Sequence, residues 1–142
     1  MKRALLLLLG LILVTSTLNG QVAIIANKDV PVENISKTKL IDLYTRDIRM
    51  WSDQLDVKVF DLELKNDTKR VFYKFIGKSS SRMKSIWLRK KLAGECEPPR
   101  FVESEAVMLQ CVAETQGAVG FIPVEKVTSD VKILLIVPTY GE

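Results

Sequence analysis

Residues 22–26 read Val-Ala-Ile-Ile-Ala, a continuous apolar run rich in β-branched side chains. Such a run predicts a strand buried on both faces, because a strand with one face in water alternates apolar and polar residues. Residues 118–122 (Ala-Val-Gly-Phe-Ile) and 131–137 (Val-Lys-Ile-Leu-Leu-Ile-Val) repeat the pattern, and residues 57–62 read as a further strand. Helices are therefore expected to cover both sides of the sheet.

Four segments between these strands have apolar residues at helical spacing. Each has a hydroxyl side chain at its start that can cap a helix; the expected starts are Ser36, Thr68, the serine run 79–81, and Ser104. The segment 95–100 contains Pro98-Pro99 and predicts a loop. The resulting order, β-α-β-α-α-α-β-β, predicts an α/β fold built as a three-layer α/β/α domain.

The first twenty residues predict a secretory signal peptide. Lys2 and Arg3 precede an eleven-residue apolar run, 4–14, and a small polar stretch follows at 15–20. A bilayer core needs about 20 apolar residues, so the run is too short to span it, although an uncleaved anchor is the alternative. We expect residues 21–142 to form a single exported domain, in the periplasm or otherwise outside the cytoplasm, with no transmembrane span.

The composition argues against catalysis. The 142 residues include no histidine and only two cysteines. Ser-His-Asp and Cys-His nucleophile pairs are thereby excluded, and a zinc site would have few ligands. The carboxylates Asp61, Glu63 and Glu105 are candidate acid–base groups, but no pattern in the sequence pairs them. We predict a protein that is not an enzyme and that uses no metal or cofactor.

The two cysteines are Cys96 and Cys111. An even number of cysteines in an oxidising compartment predicts one disulfide, which would stabilise the fold by about 3 kcal/mol. The alternative is a pair of buried free thiols, since Cys111 falls on the apolar side of a predicted helix.

The charge is concentrated in one part of the chain. Segment 65–91 has ten basic residues and one acidic residue, whereas the whole chain has a net charge of +4. The predicted basic face of two helices comprises Arg70, Lys74, Arg82, Lys84, Arg89, Lys90 and Lys91. Such a face suits anionic lipid head groups, an acidic protein or small anions, and the alternative is a plain solvated helix surface.

Several short motifs occur in an order that resembles one family. The most specific is 117–121, Gly-Ala-Val-Gly-Phe, which is similar to a family segment in which a helix ends and a strand begins. Weaker matches are Ser36-Lys37-x-x-Leu40-x-x-Leu43-Tyr44 with Trp51-Ser52-Asp53, Thr68-x-x-x-Phe72, and Gly77-Lys78-Ser79 with Trp87. Over about residues 22–123 the chain resembles the phosphate-type periplasmic solute-binding proteins of ABC transporters. The resemblance implies one lobe of the periplasmic binding protein type II-like fold.

The resemblance also implies a location for an anion site. In the family, N–H groups and hydroxyls at the start of a helix hold the oxyanion, which the helix dipole favours, and an upstream arginine assists. The matching positions here are Asn66, Asp67, Thr68 and Lys69. Asp67 replaces the family's glycine and Leu62 stands where the arginine would be, which predicts weak phosphate binding or its loss.

Two functions follow as alternatives. The first is an exported, non-catalytic domain related to phosphate-binding proteins, which binds a small oxyanion weakly, with a second copy supplying the other wall of the site. The second is an envelope protein-interaction module that has lost its ligand and uses the basic face. Nucleic acid is not expected as a partner after export.

Overall fold

The computed structural model describes residues 20–138, so the predicted signal peptide lies outside the described residues apart from Gly20. In chain order the elements are β1 (Val22–Ala26), α1 (Lys37–Tyr44), β2 (Met50–Ser52), β3 (Leu55–Asp56), β4 (Lys58–Leu62), α2 (Asp67–Ile76), α3 (Ser80–Leu92), β5 (Arg100–Val102), α4 (Glu105–Glu114), β6 (Ala118–Pro123), a 3-10 turn (Val124–Lys126) and β7 (Lys132–Val137).

Five strands form one mixed sheet in the order β5-β4-β6-β1-β7. Strand β4 runs parallel to both β5 and β6, whereas β1 is antiparallel to both β6 and β7. The short strands β2 and β3 form a separate antiparallel hairpin. Every residue of β1 is buried, as its continuous apolar sequence predicts.

Helices cover both faces of this sheet. On one face the Phe121 ring of β6 stacks on Phe72 of α2, with ring centroids 4.0 Å apart. On the other face Gly120 lies against α4, so closely that a Cβ there would be 2.5 Å from Met108 Sδ. Successive strand residues point to opposite faces, so α2 and α4 sandwich the sheet. The predicted three-layer α/β/α fold is confirmed.

Three of the four predicted caps are present. Ser36, Ser79 and Ser104 each accept a hydrogen bond from the backbone N–H three residues further on. At α2 the cap is Asn66 rather than Thr68, so that helix begins at Asp67. An asparagine is as good a cap as a serine, and its position two residues earlier brings Thr68 into the first turn.

Two features were not predicted, namely the hairpin of β2 and β3 and the strand β5. Strand β5 starts at Arg100, the last residue of the predicted loop, and pairs with β4 in the register Phe60↔Arg100. Both elements are only two or three residues long. The strand conformation of β5 comes from a partner distant in sequence, which a local pattern does not show, whereas the two hairpin strands are too short for an alternating pattern.

Gly117 explains part of the Gly-Ala-Val-Gly-Phe motif. Its φ is +74°, and a Cβ added there would lie 2.0 Å from the Asp56 carbonyl oxygen. Only glycine combines this backbone conformation with such close approach of another chain segment. The Trp51 indole N–H also donates to the Gly117 carbonyl at 2.8 Å, which fixes the hairpin against the start of β6.

The predicted disulfide is absent, since Cys96 and Cys111 are both free. Cys96 lies in the loop after α3, beside Arg46. Cys111 is part of α4 and packs against the hydrophobic core. Each thiol therefore has its own surroundings, and the disulfide stays a prediction that the structure does not confirm.

Candidate functional site

The four predicted ligand residues lie at the start of α2. Asn66 Oδ1 accepts a hydrogen bond from the Lys69 backbone N–H at 2.9 Å and so caps the helix. Asn66 and Thr68 direct their side chains to one side of this helix start, where both reach the same acceptor.

That acceptor is the carboxylate of Glu105, from the first turn of α4. Glu105 Oε1 accepts from Thr68 Oγ1 at 2.6 Å and from Asn66 Nδ2 at 3.1 Å. Its other oxygen, Oε2, is 2.6 Å from Lys126 Nζ in the 3-10 turn after β6. The Glu105 side chain is only 13% exposed. An oxyanion from the chain itself therefore occupies the donors at the start of α2.

Glu105 is ionised at neutral pH. Partial burial by itself would raise the pKa of Glu105, but hydrogen bonds from Lys126, Thr68 and Asn66 hold it below the usual range. The Glu105 carboxylate in turn raises the pKa of Lys126. The Lys126 ammonium group and the neutral donors of Thr68 and Asn66 together give both carboxylate oxygens of Glu105 a hydrogen-bond partner.

Asp67 and Lys69 take no part in this cluster. The Asp67 side chain is 94% exposed and makes a surface ion pair with Arg70 at 3.5 Å. Lys69 is buried instead, with 6% of its surface exposed, and its Nζ donates to the Leu62 carbonyl at 2.5 Å. The structure thus brings Asn66 and Thr68 together at the predicted site and turns the Lys69 side chain away from it.

Lys69 belongs to a buried polar cluster with Asp61 and Tyr73. Its Nζ is 3.7 Å from Asp61 Oδ1, while the Tyr73 hydroxyl donates to Asp61 Oδ2 at 2.5 Å. Burial raises the pKa of Asp61, against the opposing effects of Tyr73 and Lys69. Burial and the neighbouring carboxylate also raise the pKa of Tyr73, which keeps its hydroxyl proton. Asp61, a candidate acid–base group in the sequence, is thus enclosed in the core with structural partners.

A cavity of about 330 Å³ lies beside the start of α2. Its lining includes Lys65, Asn66, Arg70, Tyr73 and Ser80. Among residues 20–138 no group of three or more histidine, cysteine or acidic side chains is placed to hold a metal ion. No helix in that range is long and apolar enough to cross a membrane.

One of the seven predicted members of the basic face is not at the surface. Lys90 is largely buried, because its Nζ donates to the Thr45 carbonyl at 2.7 Å and to the Asp47 carboxylate. The other six predicted members are exposed: Arg70, Lys74, Arg82, Lys84, Arg89 and Lys91. Leu88 and Leu92 of α3 stand among them, 57% and 79% exposed.

Sequence reasoning missed Lys126 and the contact made by Glu105. Glu105 follows the Ser104 cap, and an acidic residue in the first turn of a helix is favoured by the helix dipole alone. Its sequence position therefore gave no sign of a second role. Lys126 reaches the site through the turn after β6, so only the tertiary fold reveals it.

The fold is similar to one lobe of phosphate-type solute-binding proteins, which confirms the resemblance. Among solved structures, an ABC-type phosphate transport receptor from Vibrio cholerae matches with a TM-score of 0.64 and 25% identity. A Clostridium perfringens substrate-binding protein with bound phosphate matches with a TM-score of 0.66 and 18% identity. PstS from Borrelia burgdorferi matches with a TM-score of 0.60 and 12% identity.

These matches cover 80%, 80% and 85% of this chain but only 44%, 43% and 49% of the respective proteins. The chain therefore spans less than half the length of the solved structures it resembles. No family model matches the sequence, and neither does any curated protein.

Proposed function

We propose that this chain is an exported, non-catalytic lobe related to phosphate-binding proteins, and that its own Glu105 fills the anion site so that it does not capture phosphate. The observation that supports this is the placement of the Glu105 carboxylate on Thr68, Asn66 and Lys126. The first two similar structures come from transport proteins rather than enzymes, which agrees with a non-catalytic role.

A tethered carboxylate is a strong competitor for these donors. Because Glu105 is held on α4, its binding to the start of α2 is intramolecular and has a high effective concentration. A free phosphate would have to displace it and then share the site with an ionised carboxylate, which repels it.

The test is calorimetry with inorganic phosphate on the wild-type protein and on Glu105→Ala. The wild-type protein should give no binding heat at millimolar phosphate, whereas the variant, with Thr68, Asn66 and Lys126 released, should bind measurably. Glu103→Ala is the matched control, since Glu103 is an exposed carboxylate two residues away. Tight phosphate binding by the wild-type protein, with no gain in Glu105→Ala, would contradict the proposal.

A second candidate function is an interaction module for an acidic envelope protein. It is favoured by the exposed Leu88 and Leu92, which stand among the basic residues of α3. Apolar side chains ringed by charges of one sign are typical of a protein-binding surface.

Charge reversal of Lys84, Arg89 and Lys91 should abolish capture of such a partner from envelope extracts, and binding should weaken as salt rises. Lys90 is left unchanged because its ammonium group is tied to Asp47 and Thr45. Capture that is insensitive to both salt and charge reversal would exclude this role for the face.

A further inference from the structure

A second cavity, of about 520 Å³, lies where the parallel strands β4 and β5 begin, at the opposite end of these strands from the start of α2. It is lined by Lys58 and Arg100, the first residues of the parallel strands β4 and β5. Helix α2 follows the other end of β4, so this cavity is separate from the Glu105 cluster. Its volume falls within the roughly 300–1,000 Å³ of small-molecule sites.

Arg46, in the wall of this cavity, has an unfavourable backbone conformation. It follows the cap of α1 with a φ of +67°, the only positive φ of a non-glycine residue within residues 20–138. This left-handed position after a helix is usually taken by glycine or asparagine, and another residue is less stable there by about 1–2 kcal/mol. Strain of this kind is concentrated at functional sites.

The Arg46 side chain also has an unsatisfied donor. Its Nε is buried without a hydrogen-bond partner, while one terminal nitrogen donates to the Val57 carbonyl at 3.3 Å. A buried N–H of a charged group without an acceptor is strongly unfavourable. Backbone strain and an unmatched donor therefore coincide at one residue.

The cavity has an excess of positive charge. Arg49 and Arg100 line it together with Arg46, and none of the three guanidinium groups forms an ion pair with a carboxylate in the described part of the chain. The cavity lining contains two carboxylates. Asp56 is already paired with Lys58 at 3.7 Å, so Glu97 is the one carboxylate of the lining left to offset the arginines. Met50 and Pro98 supply an apolar wall between these charges.

We propose that this cavity binds a small organic oxyanion, in which a phosphate or carboxylate group accepts from the guanidinium groups of Arg46, Arg49 and Arg100 and an apolar body rests against Met50 and Pro98. The guanidinium group matches the geometry of both oxyanions, and Arg49 and Arg100 lie at the same cavity to share the charge.

The test uses three probes, namely phenyl phosphate, benzoate and inorganic phosphate, with calorimetry and thermal shift as readouts. Phenyl phosphate, benzoate or both should bind saturably, and more tightly than inorganic phosphate. The two organic probes distinguish a phosphate from a carboxylate head group. Absence of saturable binding by both organic probes would overturn the proposal, and equal binding of inorganic phosphate would overturn the role of the apolar wall.

Arg46→Gly is the decisive variant because glycine relieves the positive φ, so the protein should fold at least as well while binding is lost. Arg100→Gln should weaken binding by about tenfold or more, the effect of losing one charged hydrogen bond. Arg82→Gln on α3 should bind as the wild-type protein does, because Arg82 is an exposed arginine outside the cavity lining. Retention of binding in Arg46→Gly would refute the assignment.

Discussion

Replacing Lys69 with methionine should lower the free energy of unfolding by about 3–5 kcal/mol, because Asp61 then stays buried without its cation. Methionine preserves most of the volume and the apolar stem of lysine, so the loss of packing is small. For a domain of this size the change corresponds to a fall in Tm of about 10–20 °C.

The assay is urea unfolding followed by tryptophan fluorescence, for which the buried Trp87 is a suitable probe. Lys65→Met is the matched control, since Lys65 is exposed and belongs to the same short segment. The double variant Asp61→Asn, Lys69→Met should recover part of the loss, because it removes the uncompensated charge as well as its partner.

The pH dependence gives a second readout. A carboxyl group whose pKa is raised by folding contributes stability below its unfolded pKa, and that contribution is lost as pH rises through the folded pKa. Removing Lys69 raises the pKa of Asp61 further, so the gap between Lys69→Met and wild type should narrow on acidification. A loss below about 1 kcal/mol that does not change with pH would refute the interpretation of this cluster.

Gly117→Ala should lower the free energy of unfolding by more than about 2 kcal/mol in urea, because the new Cβ meets the Asp56 carbonyl oxygen and the φ is positive. Gly77→Ala has a similar φ but open space around it and should lose only about 1 kcal/mol, so equal losses would be inconsistent with the contact. The pKa of Glu105 is lowered by folding, so its contribution to stability is present above its unfolded pKa and lost as pH falls through the folded one. Glu105→Gln should therefore flatten the acid limb of a stability–pH curve, and an unchanged limb would argue against the Lys126 contact. Denatured, unreduced protein should take up two alkyl groups by intact mass, at Cys96 and Cys111, and a mass showing none would indicate a disulfide.

The sequence predicts the parts of this fold that are determined locally. The apolar run at 22–26 predicts a strand buried on both faces, and the hydroxyls of Ser36, Ser79 and Ser104 mark helix starts because each caps its own helix. Strand β5 follows two prolines and becomes a strand only through pairing with β4. Its conformation is a tertiary property.

For the candidate site too, the sequence predicts the local features but not the tertiary contacts. The position of α2 and the involvement of Asn66 and Thr68 follow from a resemblance in local motifs. Their acceptor, Glu105, is 37 residues beyond Thr68 in sequence, and only the tertiary fold brings the start of α4 to the start of α2. The burial of Lys69 could not be predicted from the sequence either, because a lysine among other basic residues is usually solvated. The Lys69 side chain points into the core because the Asp61 carboxylate and the Leu62 carbonyl bind its ammonium group there.

The position of β1 in the sheet affects how the chain folds. Strand β1 lies between β6 and β7, and Val22 pairs with Pro123 on one side and Val137 on the other. During synthesis β1 has no neighbour in the sheet until β6 and β7 have been made, so this part of the sheet closes late and slowly. A polypeptide whose sheet stays open until β6 and β7 are available remains threadable through a secretion channel, as the proposed export requires.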